Sequence, residues 1–285
     1  MADSVKVRTA VGACLIAAFV GLLALDHASG RGWGAVALSA ALMAAGMREY
    51  CKMTRLSGHL ATTLILGAAS WSLLKGFAWQ VDPRLHHLFA PLAIALAYGA
   101  FFASLKGSPT NERFQTLQAA AFGFFYVPFL GGFSLDARFA VPDVGEAAFF
   151  YVIAVAKGSD ICAYFTGKAL GRTKVVPSVS PGKTAAGFVG AVVGGALITC
   201  LFSEYSSLGR LVPLPVAPGV GIVMALVVIS GDLIESFMKR AVATKDSANV
   251  LPGYGGILDV VDSVIIAAPA VHFGLLFLEK VRPLG

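Results

Sequence analysis

Residues 211–230 read LVPLPVAPGVGIVMALVVIS, twenty positions without a charged side chain, and GDLIESFMKR follows at once at 231–240. An uncharged apolar run of about 20 residues is the length that crosses the hydrocarbon core of a bilayer as a helix. In that core every backbone N–H and C=O must be satisfied within the protein, which a helix does by itself. Comparable runs recur at residues 9–25, 33–46, 60–80, 88–105, 115–133, 147–167, 185–203 and 261–279. The sequence therefore predicts an all-α, polytopic helical membrane protein with about nine transmembrane helices. Composition agrees: of 285 residues, 57% are hydrophobic and 13% charged, whereas soluble domains carry about 25% charged residues. A mean hydropathy of +0.77 points the same way.

Lysine and arginine bias sets the orientation of such a chain, because cytoplasmic loops retain these residues. With the N-terminus in the cytoplasm, the inner segments hold fourteen of them and the outer segments six. Two more lie inside spans. Lys75, near the outer end of 60–80, is expected to snorkel to the interface. Lys157 shares the inner end of 147–167 with Asp160, and ionisable residues inside a membrane are functional candidates by default. Cys14, Cys51, Cys162 and Cys200 have no CxxC spacing, and the five histidines form no HExxH pattern, so neither type suggests a metal centre. No nucleic-acid-binding motif is present. Residues 1–285 read as one integral membrane domain, with N-terminal transmembrane helices at 1–146 and a charge-bearing region at 147–285.

Charge in that second region concentrates in two loops, 157–187 and 231–263. Gly231 to Ser263 alone holds eight of the chain's 38 Asp, Glu, Lys and Arg residues. If the helix continues through Arg240, Asp232, Glu235, Ser236 and Lys239 fall at i, i+3, i+4 and i+7 and share one face. A solvated amphipathic helix on the membrane surface would show the same pattern. The residues that follow favour chemistry. Lys245-Asp246 precedes the turn Pro252-Gly253-Tyr254-Gly255-Gly256, whose glycines allow backbone to approach a ligand. Asp259 and Asp262 then open the last span three residues apart, on one side of a helical turn. Hard carboxylate oxygens without Cys or His favour Mg²⁺ over zinc.

The earlier loop carries Asp160-Ile161-Cys162-Ala163-Tyr164-Phe165-Thr166-Gly167-Lys168 and then Ser180-Pro181-Gly182-Lys183-Thr184. Gly182-Lys183-Thr184 looks like the end of a phosphate-binding loop, but the first glycine of that motif is here Pro177, so it is not one. Thr184 is placed to cap the helix at 185–203, with Lys183 and the first N–H groups of that helix available to an anion.

Ser236-x-x-Lys239-Arg240, Lys245-Asp246 and Pro252-Gly253-Tyr254-Gly255-Gly256-x-x-Asp259-x-x-Asp262 together resemble the C-terminal motif of the phosphatidate cytidylyltransferases. Ser159-Asp160-x-x-Ala163-Tyr164-x-x-Gly167-Lys168, Ser180 to Thr184, and Arg48-Glu49-Tyr50 are similar to other elements of that family. The resemblance implies CTP and phosphatidic acid as substrates, CDP-diacylglycerol and pyrophosphate as products, and Mg²⁺ as cofactor. It implies catalytic roles for Asp232, Lys239, Arg240, Asp246 and Asp259, with Asp232, Asp259 and Asp262 on the metal. Substrate contacts would come from Asp160, Tyr164, Lys168, Ser180, Lys183, Thr184, Ser236, Lys245, Gly253, Tyr254, Gly255 and Gly256. Region 147–285 would then be the catalytic part, facing the cytoplasm from a bacterial inner membrane. Membrane lipids are expected partners, nucleic acid is not, and a homodimer is the assembly to test.

The chain departs from the family pattern at Tyr254, where histidine is usual, at Val260 in place of arginine, and at Ala185-Ala186, where Trp-Glu is frequent. Val260 removes a cation that another base would have to replace. The alternatives are a CTP-dependent kinase or transferase acting on an isoprenoid lipid, and a non-catalytic lipid-binding relative. A secondary transporter fits less well, since its charges would sit near the midplane of repeated halves.

Overall fold

The computed structural model describes residues 21, 24, 26, 30–104, 108–244, 247–248 and 255–282. Its α-helices are α1 (Trp33–Met53), α2 (Gly58–Val81), α3 (Phe89–Ser104), α4 (Asn111–Phe124), α5 (Phe133–Phe139), α6 (Pro142–Leu170), α7 (Ala185–Tyr205), α8 (Ala217–Ala241) and α9 (Ile257–Val281). Among the described residues there is no strand, and Lys174 and Thr184 form an isolated antiparallel bridge. The chain is an all-helical integral membrane protein.

Seven stretches are long and apolar enough to cross a membrane: Gly58–Val81, Pro83–Phe102, Asn111–Phe139, Pro142–Leu170, Ala185–Tyr205, Ala217–Ala241 and Ile257–Val281. The expected count of about nine is thus not reproduced among the described residues. Most of the expected span 9–25 lies outside them. The span at 33–46 lies in α1, a 21-residue helix that goes on through Arg48, Glu49 and Lys52. Those three charges lower the hydropathy of any full-length window that contains them. Conversely, several spans outrun the apolar pattern: α8 extends eleven residues beyond Ser230 and carries the charged face with it.

The chain divides into two compact units, Met1–Leu135 with Asp246–Val260, and Asp136–Lys245 with Val261–Gly285. In the first unit, α1 packs on α2, and the Tyr50 hydroxyl donates to the Ala119 carbonyl at 2.9 Å. A π-turn at Phe125–Phe129 contains Pro128, whose missing N–H removes one rung of the helical ladder. Lys75 corrects an expectation here. Only 4% exposed, it does not snorkel but donates to the Gly132 carbonyl at 3.3 Å and lies 4.6 Å from the Phe133 ring centre. Trp71, Phe89, Phe124 and Phe129 close an apolar cluster around this region, and ring faces offer the ammonium a favourable surface.

In the second unit, α6, α7 and α8 pack through small residues. Thr166 faces Gly190, Cys162 faces Gly194, and Gly195 meets Gly221 backbone to backbone. Helices in lipid gain little from hiding apolar surface, so close packing at small residues is what joins them. The Tyr151 and Thr199 hydroxyls meet at 2.7 Å between α6 and α7, and Thr199 donates to the Gly195 carbonyl at 2.8 Å. Gly190→Val is therefore expected to drive a branched side chain into Thr166 and to destabilise the protein by about 1–3 kcal/mol, the usual cost of overpacking. A lowered thermal midpoint in detergent would show it; an unchanged one would contradict the packing.

Candidate active site

In the second unit, α8 turns its polar face inward. Glu235 is fully buried and Ser236 nearly so, while Ile234 and Phe237 on the same helix are exposed. A surface-lying amphipathic helix would do the opposite, so that reading of the charged stretch does not hold. Gly231 allows α9 to come close: an added Cβ there would lie 3.1 Å from Ile266 Cβ and 3.3 Å from Ser263 Cα. That approach brings Asp262 to the charged face of α8. One carboxylate oxygen from each of Asp232, Glu235 and Asp262 lies within 4.8 Å of the others.

Three lysines from different places compensate these acids. Lys183 pairs with Asp232, Lys239 with Glu235 one helical turn away, and Lys157 with Asp262 at 3.5 Å. Removing charges from water costs several kcal/mol each unless partners compensate, and these pairs supply the compensation. Lys157 also lies 3.5 Å from Asp160 and donates to Ser263 Oγ at 2.9 Å. Ser263 Oγ is in turn 3.3 Å from Asp160, and the Ser263 amide donates to Asp262 Oδ1 at 2.6 Å.

Lys183 owes its position to the backbone fold of its loop. Val175 N–H donates to the Lys183 carbonyl at 3.2 Å, Ala185 N–H to Thr173 at 3.0 Å, and Lys183 N–H to the Ser180 carbonyl at 3.1 Å. These bonds fold 173–185 back on itself. Arg240 Nε donates to the Val179 carbonyl at 3.3 Å and so ties the loop to α8. Thr184 caps α7 as its position suggested, its hydroxyl accepting from Gly187 N–H at 3.1 Å. Tyr164 is exposed on α6, and Lys168 lies 5.7 Å over its ring.

The first unit holds a separate polar knot. Glu49, buried on α1, accepts from Ile257 N–H at 2.9 Å and Leu258 N–H at 2.8 Å, the open N-terminus of α9. Its other partner is Ser247 Oγ at 2.9 Å. Asp259 accepts from Ser247 N–H at 3.1 Å, Ser247 Oγ at 2.9 Å and Gly256 N–H at 2.7 Å. Gly255 has φ +89°, open to glycine at little cost, and a Cβ there would lie 2.5 Å from Asp259. A Cβ on Gly256 would run into Ser247 and Glu49. Lys245, Asp246, Gly253 and Tyr254 lie outside the described residues.

The structure thus gathers Asp160, Asp232, Asp262, Ser236, Lys183, Lys239 and Arg240 in one unit, and Asp259, Gly255 and Gly256 in the other. Glu235 and Lys157 belong to the first group although neither was assigned a role. Glu235 was legible as a member of the α8 face and Lys157 as an intramembrane charge. Ser247 carried no signal, and Glu49 only its place beside Arg48 and Tyr50. Three carboxylates, two of them buried, with hard oxygen donors can hold a metal ion.

The cytidylyltransferase family model matches residues 6–278. A phosphatidate cytidylyltransferase of Brucella suis is 31% identical over 255 residues, covering 88% of each chain. The phosphatidate cytidylyltransferases of Helicobacter pylori and Bacillus subtilis are 39% and 37% identical, over 54% and 56% of this chain and 56% of their own lengths. With a match over residues 6–278, across an acid and lysine cluster suited to metal and phosphate, the chain belongs to the cytidylyltransferase family.

Proposed function

We propose that this protein transfers the cytidylyl group of CTP to phosphatidic acid, releasing pyrophosphate and forming CDP-diacylglycerol, an activated precursor for phospholipid synthesis. The observation that carries this reading is the cluster of Asp232, Glu235 and Asp262, each with its own lysine, in a family whose relatives bear that activity in their names. An oxygen of the lipid phosphate forms a bond to the α-phosphorus of CTP, and the bond from that phosphorus to the bridging oxygen of the β-phosphate breaks. The nucleophile is already an anion. Catalysis then depends on bringing two polyanions into line and offsetting charge on the leaving pyrophosphate, more than on removing a proton.

Asp232, Glu235 and Asp262 would hold Mg²⁺, whose donor preference they match. When bound, the ion supplies positive charge to the phosphates as pyrophosphate departs. Lys183, Lys239 and Arg240 bind and orient phosphate oxygens, with Lys245 joining them as the sequence motif suggests, and Asp246 would add a further metal ligand or orient one. Lys183 and Lys239 can exchange their carboxylate partners for phosphate once these acids face a cation. Asp160 steadies Lys157 and Ser263. Ser236, Ser180, Thr184, Tyr164 and Lys168 shape the surroundings of the substrates. Asp259, grouped with the metal ligands by resemblance, is better supported as the residue that ties Ser247 and Gly256 to the start of α9. The catalytic part is region 147–285.

The lysine and arginine bias and the bacterial relatives support a cytoplasmic inner-membrane face for this site, where CTP is available. Purified protein given phosphatidic acid and CTP labelled in the α-phosphate is expected to label the lipid in Mg²⁺ and to stop in EDTA. Lipid labelling from γ-labelled CTP instead would identify a kinase, and no labelling with either would overturn the reading.

A further inference from the structure

The three lysines of the cluster differ in their placement. Lys183 projects from a loop and pairs with Asp232, and Lys239 pairs with Glu235 on the last turns of α8. Lys157 sits within α6, Nζ 2.9 Å from Ser263 Oγ and 3.5 Å from both Asp160 and Asp262. Three partners on two helices fix that ammonium beside one acid of the candidate metal site. The site thus carries a permanent positive charge where a dication would bind.

We propose that Lys157 is a positioning residue and an internal counter-ion: it holds Asp262 and Asp160 in place and keeps the affinity of the carboxylate cluster for a divalent ion low until the nucleotide's phosphates arrive. Metal loading is thereby coupled to CTP binding. The inference rests on the metal-site reading above. Its electrostatics are simple. An ammonium opposes a nearby cation in proportion to that cation's charge, and the opposition is large where water is scarce. The triphosphate of CTP brings enough negative charge to offset it. The sign also survives protonation. If a neutral residue at 157 let one carboxylate take up a proton, the ammonium would still have opposed a dication twice as strongly as that proton. Loss of the charge therefore tightens metal binding either way.

The test uses Mn²⁺ as the probe, followed by its electron paramagnetic resonance signal on the purified full-length protein in lipid nanodiscs, with and without CTP. Wild-type protein is expected to bind Mn²⁺ weakly alone and more tightly with CTP, in competition with Mg²⁺. Lys157→Met should bind Mn²⁺ on the order of tenfold tighter without CTP, with the CTP-induced tightening reduced by a similar factor. Lys157→Arg should behave as wild type. A methionine variant with normal thermal stability and unchanged or weaker Mn²⁺ affinity would overturn the proposal. Should that variant fail to fold, Lys157→Gln, which can still donate to Ser263, must show the same tightening or the proposal fails. Absence of Mg²⁺-sensitive Mn²⁺ binding in the wild type, even with CTP, would overturn the metal-site reading and this inference with it.

Discussion

Asp232→Asn is expected to lower the rate of cytidylyl transfer to phosphatidic acid by about a thousandfold, the upper range for deleting one preorganised electrostatic group, while leaving the protein inserted and folded. Asparagine keeps the size of the side chain and one acceptor oxygen. It removes the negative charge that Asp232 contributes to a cluster with Glu235 and Asp262, and it weakens the pair with Lys183. Both losses bear on phosphate handling: one on the cation site, the other on a lysine assigned to the substrate. The measurement is label transfer from α-labelled CTP over a range of Mg²⁺ concentrations, with thermal unfolding run in parallel. Near-normal transfer would exclude Asp232 as a ligand. A loss of stability with an unaltered rate per folded molecule would assign it a packing role only. Glu235→Gln tests the same cluster where burial is complete, and a parallel loss of Mg²⁺ dependence is expected.

What could be read beforehand followed from local periodicity. The i, i+3, i+7 placement of Asp232, Glu235 and Lys239 is a property of any helix, so their shared face needed only the helix to continue, and it did. Thr184 likewise announced itself as a cap by preceding an apolar run. Properties set by distant partners were not legible. Lys75 looked able to reach the interface until aromatic residues from elsewhere in its unit enclosed it. Lys157 stood out as a charge in a span, but its partners Asp262 and Ser263 are more than a hundred residues away in sequence. The fold of the loop carrying Lys183 depends on backbone bonds between Thr173, Val175, Lys183 and Ala185, which side-chain patterns do not reveal. The count of nine spans is not reproduced among the described residues at α1, where an apolar stretch and a polar end share one helix.

The same limit hides Glu49, and the effect of removing it should be large. Its carboxylate accepts from Ser247 Oγ and from the Ile257 and Leu258 amides, at 2.8–2.9 Å and largely away from solvent. Negative charge is favoured at a helix N-terminus, where the first N–H groups lack intrahelical acceptors. The Ser247 hydroxyl has one proton for two nearby acceptors, Glu49 and Asp259, so it serves only one of them at a time. Glu49→Ala strands both amides, and the destabilisation expected is about 3 kcal/mol, the scale for leaving buried donors unmet beside a lost charged hydrogen bond. Glu49→Gln keeps an oxygen for one of the donors and should fall between alanine and wild type. Hydrogen–deuterium exchange over residues 247–258 reads the effect directly: protection of the Ile257 and Leu258 amides should collapse in the alanine variant and drop part-way in the glutamine variant. Unchanged protection in Glu49→Ala would mean that the start of α9 is held by other contacts, and that Asp259 keeps its hydrogen bonds without this anchor.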